Sequence, residues 1–144
     1  MPDSSSITKT EYEVLAEFRY TLRWFMSFSE HAAKEAGITQ QQHQALLAIK
    51  GFPGREQITI GELSERLQIK HHSTVGLVNR LEAEKLIIRS PARNDRRKVF
   101  ISLTGRGLAI LGRLSQIHRE ELQRLTPQLG LLLKRINKLS QGGK

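Results

Sequence analysis

Hydrophobic residues recur every three or four positions along most of the chain, and this spacing predicts a largely helical protein. The first such stretch runs from about residue 10 to residue 36, where Gly37 follows as a C-cap. Thr39 is suited to be the N-cap of a second helix, which the GFPG segment at 51–54 ends. The apolar stripes consist of Val14, Phe18, Leu22, Phe25 and Ser29 in the first helix and Ala45, Leu46 and Ile49 in the second.

The middle of the chain alternates short strand-like runs with short helices. Residues 58–60 predict a brief strand, and helices follow over 62–67 and about 70–84. Two further strand-like runs, 86–89 and 98–103, flank a polar, turn-rich tip. A helix, a tight turn, a second helix and a β-hairpin form the winged variant of the helix-turn-helix, whose second helix reads the DNA major groove.

This second helix has two faces of opposite character. Its apolar side is predicted to pack in the core, whereas its other side carries groups that fit phosphates or base edges. Asn79, for example, can read adenine through two hydrogen bonds. Because a glycine inside a helix costs about 1 kcal/mol relative to alanine, we expect a close approach of another group at Gly76. The candidate DNA contacts are Lys70, His71, His72, Ser73, Val75, Gly76, Asn79 and Arg80, and the alternative is a solvated helix face.

The C-terminal part predicts two helices that are rich in leucine. One runs from Gly105 to about residue 125, and Thr126 with Pro127 predicts the start of a separate final helix. Together with the N-terminal helix they carry more apolar surface than a monomer of this size covers, so we expect a homodimer with Leu132 and Ile136 in its interface. The predicted inward positions are Leu108, Leu111, Leu114, Ile117, Leu122, Leu129, Leu132, Leu133, Ile136 and Leu139.

The charge of the chain favours a polyanionic partner. The formal net charge is +9, and the segment 89–98 alone holds five basic side chains and one acidic side chain. Arg93, Arg96, Arg97 and Lys98 lie at the tip of the predicted hairpin, where guanidinium groups suit a narrow, A·T-rich minor groove. The alternative is a loop that only increases solubility.

Composition argues against several other classes of protein. The absence of cysteine excludes thiol catalysis, iron–sulfur clusters and cysteine-based zinc sites. His71 and His72 lie about 100° apart on a helix, so they lack the i, i+4 spacing of a metal-binding pair. No nucleophile elbow or Walker loop occurs, so we expect neither an enzyme nor a cofactor. Without an apolar run of membrane-spanning length or a signal peptide, a cytoplasmic protein with no membrane partner is expected.

Residues 60–107 resemble the MarR family of bacterial transcription regulators. The resemblance rests on the helix GELSERL, the helix ending NRLE, the exit LIIR, the wing motif DRR at 95–97 and the segment LTGRG. It implies a homodimer, a wing that contacts the minor groove and often a small-molecule signal that weakens DNA binding. It also implies that Arg97 is the inserting residue and that Asp95 orients it by an ion pair. Lys85 departs from the pattern, since many relatives have glycine at this position.

Two interpretations apply to the aromatic and histidine residues near the first helices. Trp24, Phe28, His31 and His43 could line a pocket for a small aromatic effector between the dimerisation helices and the DNA-binding lobe. The alternative, which is more common, is ordinary packing at a helix junction.

The sequence as a whole predicts a mainly α fold with a small β-hairpin wing. Residues 1–8 are expected to be a disordered tail, 9–36 and 107–144 a helical dimerisation region, and 37–106 the winged helix-turn-helix. The predicted function is sequence-specific DNA binding by a homodimeric regulator, a repressor acting at a pseudo-palindromic operator and released by a small molecule. A winged helix that binds protein or RNA is the alternative. The wing contacts are assigned to Arg93, Asn94, Asp95, Arg96, Arg97 and Lys98.

Overall fold

The computed structural model describes residues 6–92 and 97–139. The predicted fold class is confirmed, because helices dominate and the strands form one small antiparallel sheet. The elements are α1 (Lys9–Glu35), α2 (Gln40–Lys50), β1 (Gln57–Thr59), α3 (Ile60–Leu67), α4 (His71–Ala83), β2 (Ile87–Pro91), β3 (Val99–Leu103) and α5 (Gly105–Leu139).

The sheet has the strand order β1-β3-β2. Strands β2 and β3 form the hairpin of the wing, with Ile87 opposite Leu103 and Pro91 opposite Val99. The short strand β1 pairs with the other side of β3, where Ile58 lies opposite Ile101. The sheet therefore ties the start of the helix-turn-helix to its wing.

The chain divides into two compact units. The winged-helix unit comprises Glu30–Gln116, and the helical unit comprises the described parts of Met1–Ser29 and Ile117–Lys144. The core of the winged-helix unit is made of fully buried side chains from α2, α3, α4 and the sheet, which are Leu46, Ile49, Ile58, Leu63, Leu77, Leu81, Ile87 and Ile101.

Side-chain caps fix the starts of α2 and α3 in the winged-helix unit. Thr39 Oγ1 accepts from the Gln42 N–H at 3.0 Å, and Gln42 Oε1 accepts from the Thr39 N–H at 2.9 Å. Thr59 and Glu62 repeat this capping box at the start of α3. Since such boxes satisfy amides that a helix start leaves unpaired, the predicted N-cap at Thr39 is confirmed.

The helical unit is held by a buried polar contact among aromatic rings. His118 Nε2 lies 2.9 Å from Ser29 Oγ, and both residues are buried. The rings of Phe25 and Phe28 meet the imidazole edge-on, with centroids 5.9 Å and 5.5 Å away. Val14, Leu125 and Leu132 are also buried.

The predicted helix break at Thr126 and Pro127 is wrong, because α5 continues through both residues. Proline cannot donate a backbone hydrogen bond, but its neighbours can limit the cost of this loss. The carbonyl left without its helical donor is that of Gln123, and Gln123, Thr126 and Pro127 are all exposed, so water can solvate this group. A solvated helix surface therefore accommodates the proline.

Several predicted inward positions are exposed. Leu108, Ile117 and Leu122 are 43–45% exposed, whereas Leu111 and Leu114 are buried as predicted. Leu132, which was expected in a subunit interface, is buried within the chain itself, while Leu131 and Leu133 are exposed. Helical spacing identifies an apolar stripe, but it does not tell which members face the same chain. In the described part of the chain, no helix is long and apolar enough to cross a membrane.

Candidate nucleic-acid interface

Helix α4, the predicted recognition helix of the helix-turn-helix, separates a buried stripe from an exposed face. Thr74, Leu77, Val78 and Leu81 are buried, as their spacing predicts. At about 100° per residue, His72, Gly76 and Asn79 lie opposite this stripe, and we call these three residues the outer face of α4. Of the predicted α4 contacts, Lys70, His71, His72, Ser73, Asn79 and Arg80 are exposed, while Val75 and Gly76 are half-buried.

The predicted close approach at Gly76 does not occur among the residues that the structure describes. A Cβ built there would meet only Arg80 Nη1, at an ordinary contact distance of 3.6 Å. The glycine that has no room for a side chain is Gly107 on α5, where a Cβ would lie 2.1 Å from the Leu86 carbonyl oxygen. The sequence did not predict this close contact. This contact lies where α5 passes the exit of the recognition helix.

The turn from α4 into the wing is a Schellman motif. The N–H groups of Lys85 and Leu86 donate to the carbonyls of Glu82 and Leu81, each at 2.9 Å. Lys85 adopts a left-handed φ of 61°, the conformation for which glycine is best suited. Thr104 Oγ1 then donates to the Lys85 carbonyl at 2.7 Å, which anchors the turn to the end of β3. The backbone thus keeps the glycine-like conformation although the residue is lysine.

The wing brings cationic side chains to the end of the hairpin. The Ala92 N–H donates to the Lys98 carbonyl at 3.0 Å, and Arg97 and Lys98 are exposed just before β3. The remaining predicted wing contacts, Arg93, Asn94, Asp95 and Arg96, lie outside the described residues, and so does the expected ion pair between Asp95 and Arg97. The DNA contacts assigned to the wing stay predictions.

Arg89 connects the wing to the recognition helix. Its Nε donates to Glu82 Oε1 at 3.2 Å, and its Nη2 donates to Asn79 Oδ1. Arg89 is not among the contacts that the sequence predicts. Side chains alternate between the faces of a strand, so Arg89 shares the side of the buried Ile87 while Ile88 is exposed. That alternation was the available signal that Arg89 points back towards α4.

A second cationic cluster packs on the ring of Phe52, with one arginine from the segment before β1 and one from the last turn of α3. The guanidinium groups of Arg55 and Arg66 lie 4.7 Å and 4.9 Å from the centre of the Phe52 ring. Arg55 also pairs with Glu62. Partial burial acts to raise the pKa of the Glu62 carboxyl, but the hydrogen bonds from Thr59 and the charge of Arg55 prevail and lower this pKa.

The four residues proposed for an effector pocket fall into both units. Trp24 stacks on Phe28 with centroids 6.3 Å apart in the helical unit, where Arg124 lies 5.2 Å from the Trp24 ring centre. In the winged-helix unit, His31 is exposed and pairs with Glu35 at 3.1 Å, whereas His43 is buried on α2. A shared pocket therefore stays a prediction.

Each of the two units contains a cavity lined by its own residues. One of about 200 Å³ in the helical unit is lined by Tyr20, Trp24 and Arg124 among others. Another of about 680 Å³ in the winged-helix unit is lined by Lys50, Phe52 and Leu108 among others. Over residues 6–92 and 97–139, no group of three or more histidine or carboxylate side chains is arranged to hold a metal ion.

Comparison with known proteins agrees with this architecture. Residues 36–98 match the model of the MarR family. The homoprotocatechuate degradative operon repressor of Escherichia coli is 31% identical over 99 residues, which are 69% of this chain and 64% of the repressor. The chain thus spans less than two thirds of the length of that relative. The transcriptional repressor NicR of Pseudomonas putida is 29% identical over 116 residues, covering 76% of this chain and 70% of NicR.

Solved structures agree on the fold. MepR, a transcription regulator of the Staphylococcus aureus multidrug efflux pump MepA, superposes with a TM-score of 0.72 at 20% identity, covering 96% of this chain and all of MepR. AbsC from Streptomyces coelicolor, a MarR family transcriptional regulator, gives the same TM-score at 20% identity over 95% and 98% of the two chains. With their winged helix-turn-helix and these sequence matches, residues 36–98 belong to the MarR family.

Proposed function

We propose that this protein is a transcription regulator, a repressor that binds a pseudo-palindromic DNA site as a homodimer. The observation that carries the proposal is the outer face of α4, whose His72 and Asn79 are exposed, beside a wing that carries the exposed Arg97 and Lys98 just before β3. A helix of this kind fits the major groove, while a basic hairpin beside it reaches the neighbouring backbone or minor groove. The relatives in Escherichia coli and Pseudomonas putida are both named as repressors.

Charge supports a nucleic-acid partner for this surface. Lys70 and Arg80 flank the outer face of α4, and both are exposed. Contacts of such side chains with phosphates release counterions, so binding should weaken steeply as salt rises. Base contacts from the outer face would then select the site.

Exposed apolar side chains of the helical unit support self-association. Tyr20 and Leu15 on α1 are 58% and 50% exposed, and Leu131 and Leu133 on α5 are 65% and 61% exposed. Single exposed apolar residues are ordinary, but a group on two helices of one unit is typical of a surface that another subunit covers. Two recognition helices in a dimer would demand half-sites about one helical turn apart.

The proposal includes release from DNA by a small aromatic effector. The stacked rings of Trp24 and Phe28, with Arg124 beside them, provide an aromatic wall and a cation that suit such a ligand.

Selection of genomic DNA fragments by the purified protein, followed by sequencing, tests the proposal. We expect a small set of fragments that share an inverted repeat, with dissociation constants that rise steeply with salt. Equal affinity for unrelated duplexes, or tighter binding to RNA or to a protein, would overturn it in favour of the alternative function.

A further inference from the structure

A single guanidinium determines how one side chain of the outer face can meet DNA. Arg89 on β2 donates hydrogen bonds to Asn79 and Glu82, which both lie on α4. A guanidinium has only donors, so the Asn79 amide must turn its oxygen towards Arg89. Its amino group is then the part that remains for a further partner.

This orientation decides which base edge Asn79 can read. Reading adenine through two hydrogen bonds requires the amide oxygen to accept from N6 while the amide nitrogen donates to N7. Arg89 already takes one of the two lone pairs of this oxygen and keeps the oxygen turned towards the guanidinium, so an adenine N6 would have to share the oxygen with Arg89. Guanine instead offers O6 and N7, two neighbouring acceptors that match the two N–H bonds of the amide nitrogen.

We propose that Arg89 is a positioning residue that sets the base preference of Asn79, so that Asn79 selects guanine and not adenine. This inference rests on the proposed function, because it assumes that the outer face of α4 enters the major groove. It replaces the adenine contact that the sequence alone suggests for Asn79.

Arg89 has a second effect that an experiment must separate from the first. It pairs with Glu82, whose carboxylate is 45% exposed and would otherwise face the DNA phosphates unneutralised. Loss of Arg89 would therefore weaken binding to every sequence as well as alter base preference. Glu82→Gln removes this carboxylate while leaving Arg89 and Asn79 in place, so it provides the matched background.

The experiment measures base preference at each operator position by competition among duplexes, for the full chain and for four variants. Glu82→Gln should keep the guanine preference, and Asn79→Ala should abolish it at one position of each half-site, a change of roughly tenfold in relative affinity. In the double variant Glu82→Gln, Arg89→Met, the Asn79 amide is free to turn. The affinity for duplexes with adenine at that position should therefore rise relative to duplexes with guanine. Asn79→Asp presents an acceptor and keeps a partner for Arg89, so cytosine, whose N4 donates, should be preferred.

The possible results separate this inference from the proposed function. Asn79 is not a guanine reader held by Arg89 if the unmutated protein prefers adenine at the Asn79-dependent position. The same conclusion follows if no position depends on Asn79, or if Arg89→Met in the Glu82→Gln background leaves the preference unchanged in a folded protein. If this double variant does not fold, the base that the unmutated protein prefers at the Asn79-dependent position decides, since guanine supports the inference and adenine refutes it. A protein that selects no duplex at all refutes the proposed function and this inference with it.

Discussion

Gly107 and Leu86 approach each other so closely that no side chain fits between them. A Cβ on Gly107 would lie 2.1 Å from the Leu86 carbonyl oxygen and 3.1 Å from its carbonyl carbon. That oxygen also accepts from the Thr104 N–H at 3.0 Å, so it is fixed in place. The start of α5 is thus packed directly on the backbone that leaves the recognition helix.

We expect Gly107→Ala to destabilise the protein by about 1–3 kcal/mol, because the new methyl group must displace fixed backbone. Gly112→Ala is the matched control on the same helix, since a Cβ there meets nothing within 4 Å. It should stabilise the fold by roughly 0.5–1 kcal/mol through helix propensity. Urea unfolding measures both changes, and equal stabilities of the two variants would contradict the close packing.

Lys85→Gly should stabilise the fold. The left-handed φ of 61° costs an L-residue roughly 1–2 kcal/mol, which glycine would relieve. The greater conformational entropy of glycine in the unfolded chain offsets part of this stabilisation. The expected net effect is about 0.5–1 kcal/mol in the free energy of unfolding. Lys85→Ala removes the same side chain without relieving the backbone, so its stability should match the unmutated protein. If Lys85→Gly and Lys85→Ala both stabilise the fold, the increase comes from loss of the lysine charge and not from relief of the backbone.

Acid should destabilise the protein partly through Glu62. Its pKa is lowered in the folded state, so its ionised form contributes stability above the ordinary value of 4.5. That contribution is lost as the pH falls through the lower pKa of the folded state. Glu62→Gln keeps a residue that can complete the capping box with Thr59 but cannot titrate. Its unfolding midpoint should therefore fall less between pH 6 and pH 3, and parallel pH profiles would refute the assignment.

Arg97→Ala should weaken operator binding without affecting the fold. Its side chain is exposed beside the wing tip, and loss of a minor-groove or phosphate contact typically costs about 1–3 kcal/mol. Arg113→Ala removes the same charge from an exposed position on α5 and serves as the control. Gel-shift titrations compare the two, and equal affinities would show that Arg97 makes no special contact.

Leu131→Glu should weaken self-association while the protomer stays folded. Leu131 is 65% exposed on α5, so a charge there leaves the packing of the chain itself unchanged. Leu132→Glu should instead unfold the helical unit, because Leu132 is buried and an unpaired buried charge costs several kcal/mol. Sedimentation together with circular dichroism distinguishes a folded monomer from an unfolded chain. A Leu131→Glu variant that sediments like the unmutated protein would place the interface elsewhere.

Local pattern was enough to predict the recognition helix and its surroundings. The burial of Thr74, Leu77, Val78 and Leu81 follows from helical spacing, and the cap at Thr39 follows from residue chemistry. The continuity of α5 was not predictable in this way. Proline after threonine is typical of a helix start, and only the exposed surroundings of Thr126 and Pro127 decide otherwise.

The sequence predicts which residues of the candidate site are exposed, but it does not predict which of them form hydrogen bonds with each other. Exposure of His72 and Asn79 follows from their position opposite the buried stripe. The bond between Asn79 and Arg89 joins residues ten positions apart through a turn and a strand. Its formation depends on the angle at which β2 leaves α4, and the left-handed Lys85 sets that angle. Composition and residue spacing do not predict a left-handed backbone conformation at a residue other than glycine.

The sheet carries its own protection against unwanted strand addition. With the order β1-β3-β2, only β1 and β2 are edge strands. β1 is three residues long, and β2 ends in Pro91, which has no N–H to offer an incoming strand. Short edges and edge prolines are poor templates for intermolecular pairing. The hairpin can thus project towards a partner at high local protein concentration without becoming a seed for aggregation.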